Sequence, residues 1–288
     1  MRPLLRALRP VQWVKNVFVL APVVFAEQLT DPGVLSPALL AFGVFCGAAS
    51  AVYLVNDVRD REEDRRHPVK CRRPIAAGDL PVSVAVAAAA VLALGAVAGA
   101  VYLGLPFLAL LALYLAVNLC YSTWLKRLVI LDVMAVASGY VLRVMAGGAA
   151  IGVAVSNWLL LCSIFLALLL IFSKRRHELL LLGDRATGHR SVLSHYSPQF
   201  LDQMINVVTA SAVVSYALYA VDADTVRRFG SDNLVYTVPL VLFGIFRFLY
   251  LTYQKSEERN PTEAILFDPP SVANVLLWGV LVLWIVYG

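Results

Sequence analysis

Long apolar stretches alternate with short polar segments along the whole chain. Most of the apolar stretches have the roughly 20 residues that a helix needs to cross the hydrocarbon core of a bilayer. The pattern predicts nine membrane-spanning helices, over residues 12–30, 35–57, 82–103, 106–125, 129–151, 155–176, 200–221, 234–253 and 270–287. No Gly-, Ser- or Pro-rich linker divides the chain, so we expect one all-α integral membrane domain over residues 1–288.

The composition also indicates a membrane protein. Of the 288 residues, 60% are hydrophobic and only 15% are charged, whereas soluble domains carry about 25% charged residues. The net charge of +5 does not indicate nucleic-acid binding, because the basic residues lie in short loops between apolar stretches. Anionic lipid headgroups and phosphorylated substrates are the expected partners of such loops.

The basic residues fall in alternate loops. Most of the 24 Lys and Arg residues lie before the first predicted span or after spans two, four, six and eight. By the positive-inside rule, these segments and the amino terminus are cytoplasmic. We therefore expect a multi-pass protein of the plasma (inner) membrane, in which the longest cytoplasmic loops, about 58–81 and 174–199, face each other at one membrane surface.

An acidic cluster interrupts the apolar pattern where the second predicted span ends. Asp57, Asp60 and Asp64 are spaced three and four residues apart, so on a helix they share one face. Asn56 lies on the adjoining edge, one turn before Asp60. Carboxylate and amide oxygens suit Mg²⁺, which leaves its other positions to water and substrate phosphate. These four residues are predicted to hold Mg²⁺, with Mn²⁺ as an alternative; a solvated loop with paired charges is the other interpretation.

Basic residues follow this cluster and recur after the sixth predicted span. Lys70 and Arg73 would suit a phosphate, because Arg makes bidentate contacts and Lys supplies a point charge. Lys174 and Arg175 are predicted to hold phosphate, and Glu178 to orient a cation or a sugar hydroxyl. Lipid contact at the inner leaflet and an ordinary helix pair between Lys174 and Glu178 are the alternatives.

Further candidates lie near the predicted membrane edge. Lys15 and Asn16 would either anchor the first span at the interface or reach the mouth of a cavity. Lys126 follows the fourth span, where snorkelling to the headgroups is the alternative. Asp132 and Arg143 lie within the fifth span, and charges there usually face a bundle interior. We expect Asp132 to approach the site and Arg143 to form a structural ion pair.

Two motifs and the nine-span layout carry a family resemblance: Asn56-Asp57-x-x-Asp60-x-x-x-Asp64 and Arg73-Pro74-x-x-x-Gly78. Together they resemble the UbiA superfamily of intramembrane prenyltransferases, over nearly the whole chain. The resemblance implies a UbiA-like helical bundle with a cytoplasm-facing active-site cavity.

The segment after the sixth span departs from typical members of that superfamily. Members that use aromatic acceptors have a second Asp-rich motif there, whereas this chain has Lys174-Arg175-Arg176-His177-Glu178. That departure resembles the decaprenyl-phosphate phosphoribosyltransferase branch. Two further motifs share this resemblance: Arg9-Pro10-x-Gln12-Trp13-x-Lys15-Asn16 and Tyr121-Ser122-x-x-Leu125-Lys126.

Resemblance to this branch implies transfer of a 5-phosphoribosyl group from phosphoribosyl diphosphate to a polyprenyl (decaprenyl) phosphate, for cell-wall arabinan precursors. It implies Asp57, Asp60, Lys174 and Glu178 as catalytic residues. The implied phosphate-binding residues are Lys15, Asn16, Lys70, Arg73, Tyr121, Lys126, Arg175 and Arg190. One acidic motif and a basic second loop suit two anionic substrates. We expect loss of Asp57 or Asp60 to abolish turnover, and no histidine to be indispensable.

Two other functions fit parts of the pattern. A UbiA-type prenyltransferase that uses prenyl diphosphate and an aromatic acceptor would need a second carboxylate-rich site, and the basic run at 174–176 argues against it. A lipid transporter would place charge at the bilayer midplane, whereas the charge here concentrates at one surface. The sequence leaves homo-oligomerisation and the length of the lipid open.

Overall fold

A computed structural model describes residues 2–66, 69–182, 191–254 and 261–288, and these residues form helices and no strand. The α-helices are α1 Arg2–Leu8, α2 Ala21–Phe25, α3 Pro32–Arg59, α4 Arg61–Arg66, α5 Pro74–Ala77, α6 Val82–Leu103, α7 Leu105–Thr123, α8 Leu131–Ile151, α9 Asn157–Leu182, α10 Pro198–Val221, α11 Ala223–Phe229, α12 Val238–Gln254, α13 Pro261–Phe267 and α14 Pro269–Tyr287. The 3₁₀ helices are Pro10–Leu20, Lys70–Arg72, Leu125–Arg127, Ser191–His195 and Asn233–Thr237.

Eight helical segments in the described part of the chain are long and apolar enough to cross a membrane. They are α3, α6, α7, α8, Asn157–Leu181, α10, Asn233–Gln254 and α14, and they follow the last eight predicted spans in order. The first predicted span, 12–30, is a shorter apolar segment, Pro10–Phe25, in which a 3₁₀ helix leads into α2. The predicted all-α membrane fold, with about nine apolar segments, is confirmed.

Three of the spans begin with a polar cap followed by proline. The cap side chain accepts a hydrogen bond from a backbone N–H of the first turn, and proline at the first helical position needs no such bond. The pairs are Asp31-Pro32, Ser197-Pro198 and Asp268-Pro269. At the last of these, Arg247 donates two hydrogen bonds to Asp268, at 2.9 and 2.7 Å, and this guanidinium holds the pKa of the Asp268 carboxyl well below its usual range.

The helices pack as two compact units. The first contains Met1–Ala116 and Leu142–Ala154, and the second contains Val117–Val141 and Val155–Gly288. In the first unit α3 and α6 meet through small side chains, which let membrane helices approach closely. Ala85 and Ala100 are fully buried, and a Cβ at Gly99 would lie 2.6 Å from the Val44 side chain. The prediction of a single domain over 1–288 stays a prediction.

The 3₁₀ helix Pro10–Leu20 packs lengthwise on α3. A 3₁₀ helix has three residues per turn, so every third side chain projects from the same face. Trp13 Nε1 donates to Ser50 Oγ at 3.0 Å, and the Asn16 amide donates to Cys46 Sγ at 3.2 Å. The amino-terminal segment is therefore fastened to α3 within the first unit.

We expect Gly147→Ala to loosen the amino-terminal segment. A Cβ at this position would lie 2.0 Å from the Val19 carbonyl oxygen, which is backbone and cannot rotate away, and overpacking of this kind costs about 1–3 kcal/mol. Thermal unfolding in detergent measures the effect. Gly95→Ala is the matched control because, among the described residues, no atom outside its own stretch of helix backbone lies within 4 Å of its Cβ position, and alanine favours a helix there. Equal melting temperatures for the two variants would contradict the prediction.

Candidate functional site

The predicted acidic face is interrupted at Asp60. Helix α3 ends at Arg59, Asp60 adopts φ −90° and ψ 9°, and α4 follows. The backbone hydrogen bonds from Asp60 N to Asn56 O and from Asp64 N to Asp60 O continue the turn across this break. Asp60 pairs with Arg59 at 3.1 Å and its side chain is 34% exposed, whereas Asp57 and Asp64 are each only 3% exposed. Asp60 is therefore much more exposed than Asp57 and Asp64.

Arg73 bridges the two buried carboxylates, and Arg9 also binds Asp57. Arg73 Nη1 donates to Asp57 Oδ1 at 3.1 Å and to Asp64 Oδ2 at 2.6 Å. Arg9 Nη2 donates to both oxygens of Asp57, at 2.7 and 2.9 Å. We call these four residues the Asp57 cluster. Buried charges are retained in proteins when they are paired and hydrogen-bonded, and both carboxylates here meet that condition.

Arg9 is the first residue of the amino-terminal motif, and its contact with Asp57 was not predicted. Its backbone is left-handed, with φ 56° and ψ 60°, which costs a residue other than glycine about 1–3 kcal/mol. Its guanidinium lies over the Tyr53 ring, 4.9 Å from the centroid. The Arg9–Asp57 contact joins residues 48 positions apart, so no local pattern could reveal it.

A single helical turn fixes the position of Arg73. Pro74 starts α5, and Gly78 ends it with φ 87°, a conformation that suits glycine. Ile75 of this turn is 1% exposed and belongs to an apolar cluster with Leu54 of α3. The spacing Arg73-Pro74-x-x-x-Gly78 therefore describes one anchored turn that presents Arg73 to the carboxylates.

Asn16 is buried inside the first unit. The expectation for this residue was a phosphate contact at the mouth of a cavity. It is 1% exposed, its oxygen accepts from Arg143 Nε at 2.7 Å and its amide donates to Cys46. Arg143 also donates to the Tyr114 hydroxyl at 2.9 Å. The structure thus favours a structural role for Asn16. Arg143, for which an ion pair was expected, donates to the neutral side chains of Asn16 and Tyr114. Lys15 and Lys70 are half-buried.

A second network lies within the second unit. Asp132 is fully buried and accepts from Arg175 Nε at 2.8 Å and from the Tyr196 hydroxyl at 2.7 Å. Arg175, 3% exposed, also donates from Nη1 to Glu178 at 2.9 Å and from Nη2 to the Tyr121 hydroxyl at 3.2 Å. We call these five residues the Asp132 cluster. It brings together three predicted site residues, and it confirms that Asp132 faces the protein interior.

The remaining predicted basic residues differ in their surroundings. Lys174 Nζ lies 3.8 Å from Glu178, and the Lys174 side chain is 42% exposed. Lys126 is half-buried in the 3₁₀ turn Leu125–Arg127. Arg175 directs three donor nitrogens into the Asp132 cluster, so Lys174 is the better placed of the two for a phosphate. Arg190 lies outside the described residues.

The Asp57 cluster fits a divalent cation with two protein carboxylates. Asp57 and Asp64 present oxygens to one nitrogen of Arg73, so both acids already converge on a single positive charge. In the described residues, no three His, Cys, Asp or Glu side chains form a ready-made cation site. Mg²⁺ commonly uses one or two carboxylates and completes its shell with water and substrate phosphate, which is compatible with this pair.

Comparisons with known proteins agree on one family. The model of the UbiA prenyltransferase family matches residues 19–268. A Corynebacterium glutamicum protein named decaprenyl-phosphate phosphoribosyltransferase is 36% identical over 99% of this chain and 86% of its own length. A Mycobacterium tuberculosis protein of the same name is 40% identical over 83% of this chain and 82% of its own length.

Among solved structures, the chain is similar to a UbiA homolog from Archaeoglobus fulgidus that was solved bound to GPP and Mg²⁺. The TM-score is 0.72, the alignment covers 99% of this chain and 100% of that one, and 18% of the residues are identical. At this level of identity the likeness concerns the fold.

Proposed function

The chain belongs to the UbiA prenyltransferase family, and from that premise we propose that it transfers a 5-phosphoribosyl group from phosphoribosyl diphosphate to a polyprenyl phosphate. The observation that carries the proposal is the 36% and 40% identity, over most of both chains, to two proteins named for this activity. The Asp132 cluster supports it, because a buried arginine occupies the place where a second metal-binding group of carboxylates would be expected in a member acting on an aromatic acceptor.

In the proposed reaction the bond between sugar C1 and the diphosphate oxygen breaks, and diphosphate leaves with the bonding electrons. A phosphate oxygen of the lipid forms the new bond to C1 from the opposite face, so the configuration at C1 is inverted. A phosphate monoester has a second pKa near 6, so the acceptor is largely dianionic at neutral pH. No strong general base is required, and positioning and electrostatics supply the rate enhancement.

The Asp57 cluster would take the diphosphate end of the donor. Asp57 and Asp64 would hold a divalent cation, Mg²⁺ or alternatively Mn²⁺, and Asn56 and Asp60 remain predicted ligands on the neighbouring turn. When bound, the cation neutralises charge that develops on the leaving diphosphate. Arg73 already donates to both carboxylates and has the planar fork that suits phosphate oxygens.

Lys174, Lys126 and Glu178 are the other proposed substrate contacts. Lys174, whose side chain is 42% exposed, would bind a substrate phosphate, and Lys126 is another candidate. Glu178, held by Arg175 at 2.9 Å, would orient a sugar hydroxyl. Each of these residues binds or orients a substrate group, and none has to move a proton.

The proposed setting is the plasma (inner) membrane, with the amino terminus and the substrate-binding loops in the cytoplasm. The asymmetric distribution of Lys and Arg supports this orientation. The product would then be formed at the cytoplasmic leaflet, where it can supply precursors for cell-wall arabinan. The shared cavity expected between the loops at 58–81 and 174–199 stays a prediction.

A substrate panel tests the proposed function. Purified protein in nanodiscs receives either labelled phosphoribosyl diphosphate with polyprenyl phosphate, or labelled prenyl diphosphate with an aromatic acid, each with and without EDTA. We expect label to enter the lipid product only from the first pair and only without EDTA. Product from the second pair alone would instead assign the chain to aromatic prenyl transfer, the activity suggested by the family's name.

A further inference from the structure

Ile130 has an unusual backbone conformation at the start of α8. Its φ is 68°, and a β-branched residue in this region is a genuine outlier with a strained backbone. The Ile130 side chain is 45% exposed, so side-chain packing is not what holds it. Its N–H donates to the Tyr196 hydroxyl at 2.7 Å.

Tyr196 connects this strained turn to the Asp132 cluster. Its hydroxyl accepts from Ile130 N and donates to Asp132 Oδ1 at 2.7 Å, and the residue is 5% exposed. Burial, followed by the hydrogen bond to Asp132, raises the pKa of Tyr196, so the hydroxyl keeps its proton at neutral pH. The ring stacks on Phe200 with centroids 5.9 Å apart. Tyr196 therefore fixes the orientation of the Asp132 carboxylate.

Asp132 in turn fixes the orientation of the Arg175 guanidinium. With one carboxylate oxygen bonded to Tyr196, the other accepts from Arg175 Nε at 2.8 Å. A guanidinium is planar and its donors form a rigid fork, so fixing Nε also fixes the directions of Nη1 and Nη2. Those nitrogens meet Glu178 and Tyr121, which are two of the predicted site residues.

We propose that Tyr196 and Asp132 are positioning residues for the phosphoribosyl transfer, holding Arg175 so that Glu178 faces a sugar hydroxyl and Tyr121 a substrate phosphate. The inference rests on the proposed function and adds two residues to it. Neither residue touches substrate: Asp132 is fully buried and Tyr196 is 5% exposed. Their effect reaches the substrate through Arg175. The sequence predicted that Arg175 itself binds phosphate, whereas here it orients Glu178 and Tyr121.

The test compares Tyr196→Phe with Tyr216→Phe in the purified full-length protein. Both variants remove one buried hydroxyl from the second unit; that of Tyr216 bonds Thr237 at 2.7 Å and accepts from Trp278 at 2.9 Å. We expect Tyr196→Phe to lower kcat per folded molecule by about 10- to 100-fold, since misplacement of about 1 Å can cost that much. We expect Tyr216→Phe to leave kcat within about twofold, with a similar loss of thermal stability.

A double-mutant cycle separates positioning from a general loss of stability. Arg175→Lys keeps the charge beside Asp132 but lacks the fork that reaches Glu178 and Tyr121. If the hydroxyl acts through Arg175, the double variant Tyr196→Phe/Arg175→Lys loses no more activity than the more severe single variant, because coupled residues are not additive. Losses that multiply, or equal kcat values for Tyr196→Phe and Tyr216→Phe, would overturn the inference while the wild type still transfers label. A wild type that transfers no label would overturn the proposed function and the inference with it.

Discussion

Asp57→Asn is expected to slow phosphoribosyl transfer by at least about a thousandfold, equivalent to roughly 4 kcal/mol. The asparagine keeps the size of the side chain but removes a carboxylate that is 3% exposed and bonded to both Arg9 and Arg73. The cation would then keep only Asp64 of the converging pair, and the leaving diphosphate would lose much of its charge neutralisation.

The control for Asp57→Asn is the same substitution at Asp79. Asp79 is exposed and lies between α5 and α6, and its loss should change the rate less than about twofold. Binding of Mn²⁺, followed by electron paramagnetic resonance, should weaken for Asp57→Asn only. Thermal unfolding is measured in parallel, since Asp57→Asn leaves two partly buried guanidiniums without their shared carboxylate. Retained Mn²⁺ affinity and a rate within tenfold of wild type would contradict the role given to Asp57.

Arg73→Lys should produce the second largest loss, a 10- to 100-fold rise in KM for phosphoribosyl diphosphate. One Arg73 nitrogen bridges Asp57 and Asp64, and the side chain is 29% exposed, so we expect its other donors to meet a phosphate. Lysine keeps the charge as a point on a flexible stem, and Arg-to-Lys substitution is not conservative at a bidentate site. A loss of about 1.4–2.8 kcal/mol corresponds to this change in KM.

Arg72→Lys is the matched control for Arg73→Lys. Arg72 precedes Arg73 in the chain and is exposed, so the same substitution there should leave KM within about twofold. Steady-state kinetics with saturating polyprenyl phosphate compare the two variants. An equal effect of both substitutions would show that this loop contributes only general positive charge, as in the lipid-contact interpretation of its basic residues.

The hydrophobic pattern was sufficient to predict the long helices, because a bilayer requires about 20 apolar residues from each. The first apolar segment, Pro10–Phe25, is shorter than the predicted span 12–30. The pattern did not predict its 3₁₀ conformation, in which Trp13 and Asn16 bond to α3 in a three-residue register. Periodicity of hydrophobic residues does not reveal such a register.

The candidate site shows the same limit at the level of single residues. The Asp57, Asp60, Asp64 spacing assumed an unbroken helix, whereas α3 ends at Arg59 and Asp57 and Asp64 meet through Arg73. The metal-binding roles of the three acids stay predictions. Arg9 and Tyr196 were missed because their partners are distant in sequence. Arg9 contacts Asp57, 48 positions away, and Tyr196 contacts Asp132, 64 positions away. Long-range pairs of this kind depend on how helices pack, and a single sequence carries no local sign of them.

Buried charge in both clusters follows one physical rule. Charged side chains near a membrane core are costly unless hydrogen bonds satisfy them. Asp57 and Asp132 each accept from two residues, and Asp64 accepts from Arg73, which also binds Asp57. Satisfied networks of this kind are rigid. Rigidity suits a reaction whose rate enhancement comes from positioning and electrostatics, since those contributions require fixed groups.

The most direct test follows the 5-phosphate of the donor. Purified protein in liposomes receives phosphoribosyl diphosphate labelled with ³²P at the 5-position, together with polyprenyl phosphate, and both lipid-bound label and released diphosphate are counted. Phosphoribosyl transfer predicts one labelled lipid for each diphosphate released, only with a divalent cation and not with Asp57→Asn. Diphosphate release without labelled lipid, or label transfer that continues unchanged in EDTA, would contradict it.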